Sequence, residues 1–228
     1  VARWKQRLNQ VKQEILSSYD VDILVLPSNL TNTNAPREIY QTLKDREIPI
    51  DILINNAEAG LYGPFHKTDL QHQLSLLQLN ITSVVQLTHL FLKEMVDRQT
   101  GYLLFVASIG AFQPTPWYAS YAAAKSFILH FGLALRRELH SIGVSCTVLS
   151  PGVTNSEFFK VTGKKPNFFQ RLTMMDSSRV THIGLEAMFS RRASVVPGMV
   201  KKFTLSLTNF LPRRATTALA HWAMQEDR

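Results

Sequence analysis

Short apolar runs alternating with segments of helix length constrain this 228-residue chain more than any other feature. The runs Val21–Pro27, Ile50–Ala57, Gly101–Ser108, Val144–Leu149 and Ser194–Pro197 read as strands. Their apolar character is nearly continuous, as expected where both faces of a sheet are buried. Between them, Arg3–Ser18, Ala35–Arg46, Leu70–Asp97 and Tyr118–His140 read as helices. Such alternation predicts an α/β fold, a doubly wound parallel sheet with helices on both faces. There is no internal repeat and no low-complexity linker, and 45% hydrophobic residues suffice for one core. The single cysteine, Cys146, lies in the apolar run Val144–Leu149. It cannot pair within the chain and reads as a small core residue, in keeping with a reducing cytosol.

Chemistry gathers at Ser108, Tyr121 and Lys125, with Asn80 upstream. Ser108 closes a strand, whereas Tyr121-Ala-Ala-Ala-Lys125 falls in a helix. The i,i+4 spacing puts phenol and ammonium on one face, one turn apart. A free tyrosine titrates near ~10, and a fixed neighbouring cation favours phenolate, drawing the tyrosine toward working pH. A serine hydroxyl at the adjacent strand end could hold a carbonyl oxygen beside that phenol. Proton transfer to or from a carbonyl or alcohol follows as the expected chemistry. The candidate residues Asn29, Asn56, Ser108 and Pro151 all fall at carboxyl ends of predicted strands, where open α/β sheets place ligands.

These residues resemble the catalytic signature of the short-chain dehydrogenase/reductase family. Ser108 is followed thirteen positions on by Tyr121 of Tyr-x-x-x-Lys. Asn55-Asn56-Ala57 after a strand, Asn80 in Leu79-Asn80-Ile81, and Pro151-Gly152 after Val148-Leu149-Ser150 fall in the family's order. The resemblance implies a Rossmann-like fold in which Tyr121 is the acid/base and Ser108 orients the carbonyl. Lys125 would lower the tyrosine pKa and hold the nicotinamide ribose, with Asn80 supporting a proton-relay water beside it. It also implies a cofactor site of Arg3, Asn29, Leu30, Asn56, Ala57, Tyr121, Lys125, Pro151, Gly152, Thr154 and Ser156. Domain organisation follows as an oxidoreductase domain over residues 1–198, a substrate lid near 156–180, and a basic amphipathic extension over 199–228.

The sequence departs from the family's pattern at three places. No Gly-x-x-x-Gly-x-Gly turn occurs, so the first βα unit, about thirty residues, is expected to be missing, from a fragment or from a truncated protein. Asn29 stands where an aspartate is usual, and its amide oxygen can still accept a hydrogen bond. Glu58 replaces the usual glycine of Asn-Asn-Ala-Gly, adding bulk and negative charge near a polyanionic ligand. Arg3, followed by Lys5 and Arg7 with no carboxylate before Glu14, favours the 2′-phosphate of NADP over NAD. A solvated basic helix face is the alternative reading of the same residues.

Charge is uneven: residues 1–114 carry 10 Lys+Arg against 11 Asp+Glu, and residues 115–228 carry 15 against 6. The basic excess from Lys160 to Arg214 is interleaved with Phe158, Phe159, Phe168, Phe169, Met174 and Met175. This pattern suits a hydrophobic small-molecule carbonyl or alcohol substrate, acyl or phosphate-bearing, or contact with an acidic partner such as an acyl carrier, or peripheral contact with an anionic membrane; equally it suits a solvated basic surface over a Phe/Met core. No motif supports nucleic-acid binding, the histidines show no metal-ligand pairing, and no run approaches the ~20 apolar residues of a membrane span. The expectation is a cytoplasmic NADP-preferring oxidoreductase, a homodimer or homotetramer through the helices Leu70–Asp97 and Tyr118–His140. A non-catalytic scaffold of the same fold is the alternative.

Overall fold

The computed structural model describes residues 1–198 and 212–224. Its main sheet has four parallel strands in the order β1-β2-β3-β6: β1 Ile52–Asn55, β2 Gly101–Val106, β3 Val144–Leu149 and β6 Ser194–Val195. β2 and β3 pair along their whole length, from Gly101 beside Val144 to Val106 beside Leu149. Side chains alternate across the pleat, and the two faces build two cores. Leu103, Phe105, Cys146 and Val148 pack with Val84, Met95, Ile128 and Leu129 on one side. Leu104 and Leu149 pack with Val180, Ala187, Met188 and Val195 on the other.

The first side is covered by α4 (Ser83–Asp97) and α5 (Ala119–Glu138), the second by α8 (Ser177–Phe189). Gly132 lets α5 approach the sheet: a Cβ there would lie 2.6 Å from Val148 Cγ2 and 3.0 Å from Phe105. At the N-terminal end, α1 (Lys5–Leu16) buries no residue, whereas α2 (Ala35–Lys44) packs Ala35 and Ile39 with Leu30, Leu79 and Phe91. The expected doubly wound parallel sheet is present.

Two elements differ from expectation. Residues 21–27 form no strand, having only the isolated bridge between Pro27 and Ala2. A strand exists through its partner's ladder of hydrogen bonds, and among the described residues no strand pairs with this segment. The helix expected over Leu70–Asp97 is continuous but contains a π-helical turn, Gln78–Thr82, between α3 (Leu70–Leu77) and α4. By length and hydropathy this helix could cross a membrane. Its packing of Val84 and Met95 on the sheet assigns it to the core of the fold.

After β3 the chain makes a short parallel ribbon, β4 Thr154–Asn155 with β5 Met175–Asp176. The excursion between them holds α6 (Phe158–Thr162) and α7 (Phe168–Leu172). The segment expected as a lid, 156–180, thus comprises this excursion and, from Ser177, the start of α8 on the sheet. Within the expected extension, residues 199–211 and 225–228 lie outside the described residues. α9 (Arg213–Met224) docks on the excursion: Lys164 donates to the Met224 carbonyl at 2.6 Å and Asn167 to the Ala223 carbonyl at 2.9 Å.

Candidate active site

Three loops at the carboxyl ends of β1, β2 and β3 meet the N-terminal turns of α5. Ser108 ends the run after β2, and its Oγ accepts from the Gly110 N–H at 3.2 Å. The same hydroxyl lies against the Tyr121 phenol and favours its ionised form. Lys125, one turn beyond Tyr121, is buried and donates to the Val106 carbonyl at 2.8 Å. Its ammonium lies 5.7 Å from the centre of the Tyr121 ring. Helical spacing joined Tyr121 to Lys125, the resemblance to the family's signature added Ser108, and the structure brings the three together.

The second partner of Lys125 is Glu58, whose carboxylate forms an ion pair with the ammonium. This changes the electrostatics expected at Tyr121. Burial pushes the phenol well above the usual tyrosine range, and the nearby Glu58 carboxylate pushes the same way. Ser108 opposes them, and Tyr118 adds to the rise. The expected lowering of the Tyr121 pKa by Lys125 is therefore not found. The ammonium is occupied by a carboxylate and a carbonyl, and the low-dielectric surroundings penalise phenolate.

Asn80, 2% exposed, stands in the π-helical turn. Its Nδ2 donates to the Ala59 carbonyl at 2.8 Å and its Oδ1 accepts from the Ala59 N–H at 2.9 Å. Both ends of the amide thus clamp the loop that carries Glu58, a role the sequence reading did not foresee. π-turns inside helices are frequent at functional sites, and here the turn presents Asn80 to the loop.

Aromatic side chains wall the site. The Phe158 ring lies 5.2 Å from Tyr121 and 6.2 Å from Tyr118, centre to centre, and Tyr62 lies 5.1 Å from Tyr118. Phe158 fits because residue 60 is glycine: a Cβ at Gly60 would stand 2.5 Å from the ring. Lys164, buried, places its ammonium 4.7 Å from the Tyr62 ring centre. In the sequence Phe158 is one aromatic among cations, with nothing to tie it to Tyr121. Lys164 carried no local signal, since its partners are 60 residues away at Met224.

The remaining cofactor candidates surround this centre in different states. Asn56 and Ala57 are exposed beside the loop. The Pro151 carbonyl accepts from the Ile109 N–H at 2.8 Å, which ties the loop of Pro151 and Gly152 to the one that follows Ser108. Thr154 Oγ1 donates to the Gly152 carbonyl at 2.9 Å, and Ser156 Oγ accepts from the Phe158 N–H at 3.4 Å. Asn29 is exposed and accepts from Thr31, Leu30 is buried, and Arg3 is exposed at the start of the chain. Arg7 instead forms a two-pronged ion pair with Glu157, 2.7 Å to each oxygen, tying α1 to the excursion.

Do these residues fit a nicotinamide dinucleotide? Two buried polar atoms, Asn55 Oδ1 and Ser150 Oγ, have no partner, and both lie at the strand ends that face this centre. Together with the hydroxyls of Ser108 and Tyr121 and the Lys125 ammonium, they form a donor and acceptor set suited to a ribose and a carboxamide. The nicotinamide end fits. The 228 residues contain no glycine-rich turn for a pyrophosphate. No group of three or more potential metal ligands exists among the described residues.

Comparison with known proteins agrees with this arrangement. The short chain dehydrogenase family profile matches residues 1–167. The chain is 30% identical over 194 residues to hydroxysteroid dehydrogenase-like protein 1 of Gallus gallus, covering 81% of this chain and 57% of that protein. It is 27% identical over 230 residues to the very-long-chain 3-oxoacyl-CoA reductase of Coccidioides immitis, covering 96% of this chain and 64% of that protein. The chain thus spans less than two thirds of either relative. A short-chain dehydrogenase from Sphingobium yanoikuyae, solved in complex with NADPH, superposes with a TM-score of 0.79 at 22% identity, covering 92% of this chain and 85% of that one. With the profile matching most of its length and the fold shared, this chain belongs to the short-chain dehydrogenase family.

Proposed function

We propose that this chain interconverts a carbonyl and an alcohol on a small hydrophobic substrate, with NADP preferred as cofactor and Tyr121 as acid/base. The observation that carries the reading is the meeting of Ser108, Tyr121 and Lys125 beneath an aromatic wall of Tyr62, Tyr118 and Phe158. When bound, the cofactor supplies or accepts the hydride. Ser108 Oγ orients the substrate oxygen, and the Tyr121 hydroxyl gives it a proton or takes one from it. Lys125, with Asn56, Ala57 and Tyr121, would hold the nicotinamide ribose. Pro151, Gly152, Thr154 and Ser156 would hold the carboxamide, and Asn29 and Leu30 would lie along the adenine. Arg3 would meet the 2′-phosphate. An apolar substrate is supported by the aromatic wall and by the hydroxysteroid and very-long-chain acyl relatives.

Tyr121→Phe removes only the transferable proton. It is expected to lower carbonyl reduction by about 10²-fold or more while leaving NADPH binding intact. Turnover near that of the parent would defeat the assignment. A second reading, a non-catalytic interaction protein, draws on the Glu58 ion pair at Lys125. It predicts no NADPH binding in a fluorescence titration of the folded chain.

A further inference from the structure

Glu58 has no part in the chemistry proposed above, yet it is the only carboxylate paired with Lys125 among the described residues. It stands on the loop after β1, held by the two hydrogen bonds between Asn80 and Ala59 next door. Its side chain is 31% exposed, whereas that of Lys125 is 3% exposed. The carboxylate therefore reaches inward from the rim to a buried ammonium. From this geometry we infer that Glu58 is a positioning residue that occupies Lys125 and so holds Tyr121 in its protonated form, setting the pH window in which the site can move a proton. The inference rests on the acid/base reading of Tyr121.

The physical argument is one of charge balance. A phenolate at Tyr121 would find its nearest cation already matched by a carboxylate, in surroundings that penalise any unmatched charge. The other groups facing the phenol do not replace the lost cation. Ser108 offers a neutral hydroxyl, and Tyr118 is a second phenol packed against Phe158. Lys164 lies 6.0 Å from the Tyr118 ring, one residue further out, and donates to the Met224 carbonyl. The raised pKa of Tyr121, to which Glu58 contributes directly, agrees with this geometry.

The balance of the reaction shows the consequence. In reduction the carbonyl carbon gains a hydride from the reduced nicotinamide, the π pair moves to oxygen, and oxygen takes the Tyr121 proton, leaving phenolate. In oxidation the phenolate removes the hydroxyl proton as the hydride departs to the oxidised nicotinamide. A phenol kept protonated is ready for the first half at neutral pH. It reaches the second only on an alkaline limb, and Glu58 places that limb. Removing the carboxylate frees Lys125 to stabilise phenolate, so the limb should move to lower pH.

The test is a pH titration of the unliganded chain by carbon NMR of ring-labelled tyrosine. The Tyr121 resonance is assigned by its loss in Tyr121→Phe. Glu58→Gln keeps the size and removes the charge; Tyr121 should then ionise at lower pH. Alcohol oxidation at saturating NADP, read at a fixed pH on its rising limb, should increase roughly threefold or more. Glu58→Asp, which keeps the charge, should titrate closer to the parent than Glu58→Gln. If Glu58→Gln fails to fold, Glu58→Ala on the same exposed loop serves in its place. An unchanged Tyr121 titration in a folded, charge-free variant overturns the inference. A moved titration without turnover in either direction upholds Glu58's hold on Tyr121 and overturns the activity reading instead.

Discussion

At the scale of single residues, Tyr118 links burial to pH dependence. Its hydroxyl is buried with no partner in hydrogen-bond geometry, and burial pushes its pKa up to about 12, with the Thr162 hydroxyl offsetting part of the cost. An unfolded tyrosine ionises near ~10. Below that pH the contribution is constant. Between about 10 and 12 the unfolded chain releases a proton that the folded one keeps, so stability falls as pH rises, by on the order of 2 kcal/mol. Tyr121 acts in the same direction. Tyr118→Phe should therefore flatten part of the alkaline loss, measured as urea midpoints from neutral to strongly alkaline pH; an unchanged slope would contradict the burial argument. Cys146, also raised to about 12 by burial, is an inert thiol in the core, as its apolar neighbours in sequence implied. Glu58 was legible as a departure from the family's glycine. Its partner was not, because Lys125 is 67 positions away and only the fold brings them together.

Among elements, the π-turn at Asn80 and the docking of α9 carry the site. Asn80→Ala would leave the Ala59 N–H and carbonyl without their partner in a half-buried loop. A cost of about 2 kcal/mol follows from unsatisfied polar groups, together with loss of turnover as the Glu58 loop loosens. Thermal denaturation and activity measured on one preparation check both parts. In the excursion that α9 docks on, Lys164→Met would remove the buried donor to the Met224 carbonyl and the cation over Tyr62. The expected loss is again roughly 2 kcal/mol, with faster proteolysis of residues 156–174 as the readout. Periodicity made the helix over 70–97 and the helix bearing Tyr121 legible, since each buries one face on the sheet. It could not show a turn wound one residue wider, because no residue type distinguishes a π-turn from the α-helix around it. The strand expected at Val21–Pro27 had the right composition and lacked the partner that would make it one.

For the whole molecule, the open surfaces set its behaviour in solution. On α5, Phe127 and Leu133 are each 37% exposed, and on α3 Leu70 and Leu74 are 62% and 49% exposed. Apolar side chains left outside the core of a helix that already packs on a sheet call for cover. Association through these helices with an isologous interface is expected. Phe127→Arg combined with Leu133→Arg should then yield monomer mass in light scattering at micromolar concentration; an unchanged mass would move the interface elsewhere. Among the described residues β1 stands at one end of the sheet, with Ile52 and Ile54 38% and 45% exposed and open to unwanted pairing. Ile54→Lys should reduce aggregation of this chain and leave any association through α3 and α5 unchanged.

The order of strands and helices, the parallel sheet and the meeting of Ser108, Tyr121 and Lys125 could be read from the sequence. Each follows from short-range rules: continuous apolar runs, helical spacing, and strand ends that place ligands. Contacts between distant positions could not be read, and they decide the electrostatics of the site. Glu58 reaches Lys125, Asn80 holds Ala59, Phe158 fills the space that Gly60 leaves, and Lys164 caps Met224. A residue's type states what charge or hydrogen bond it can offer. Which group receives it depends on the tertiary fold, and for Tyr121 burial first, with the Glu58 carboxylate beside it, reverses the expected direction of its pKa.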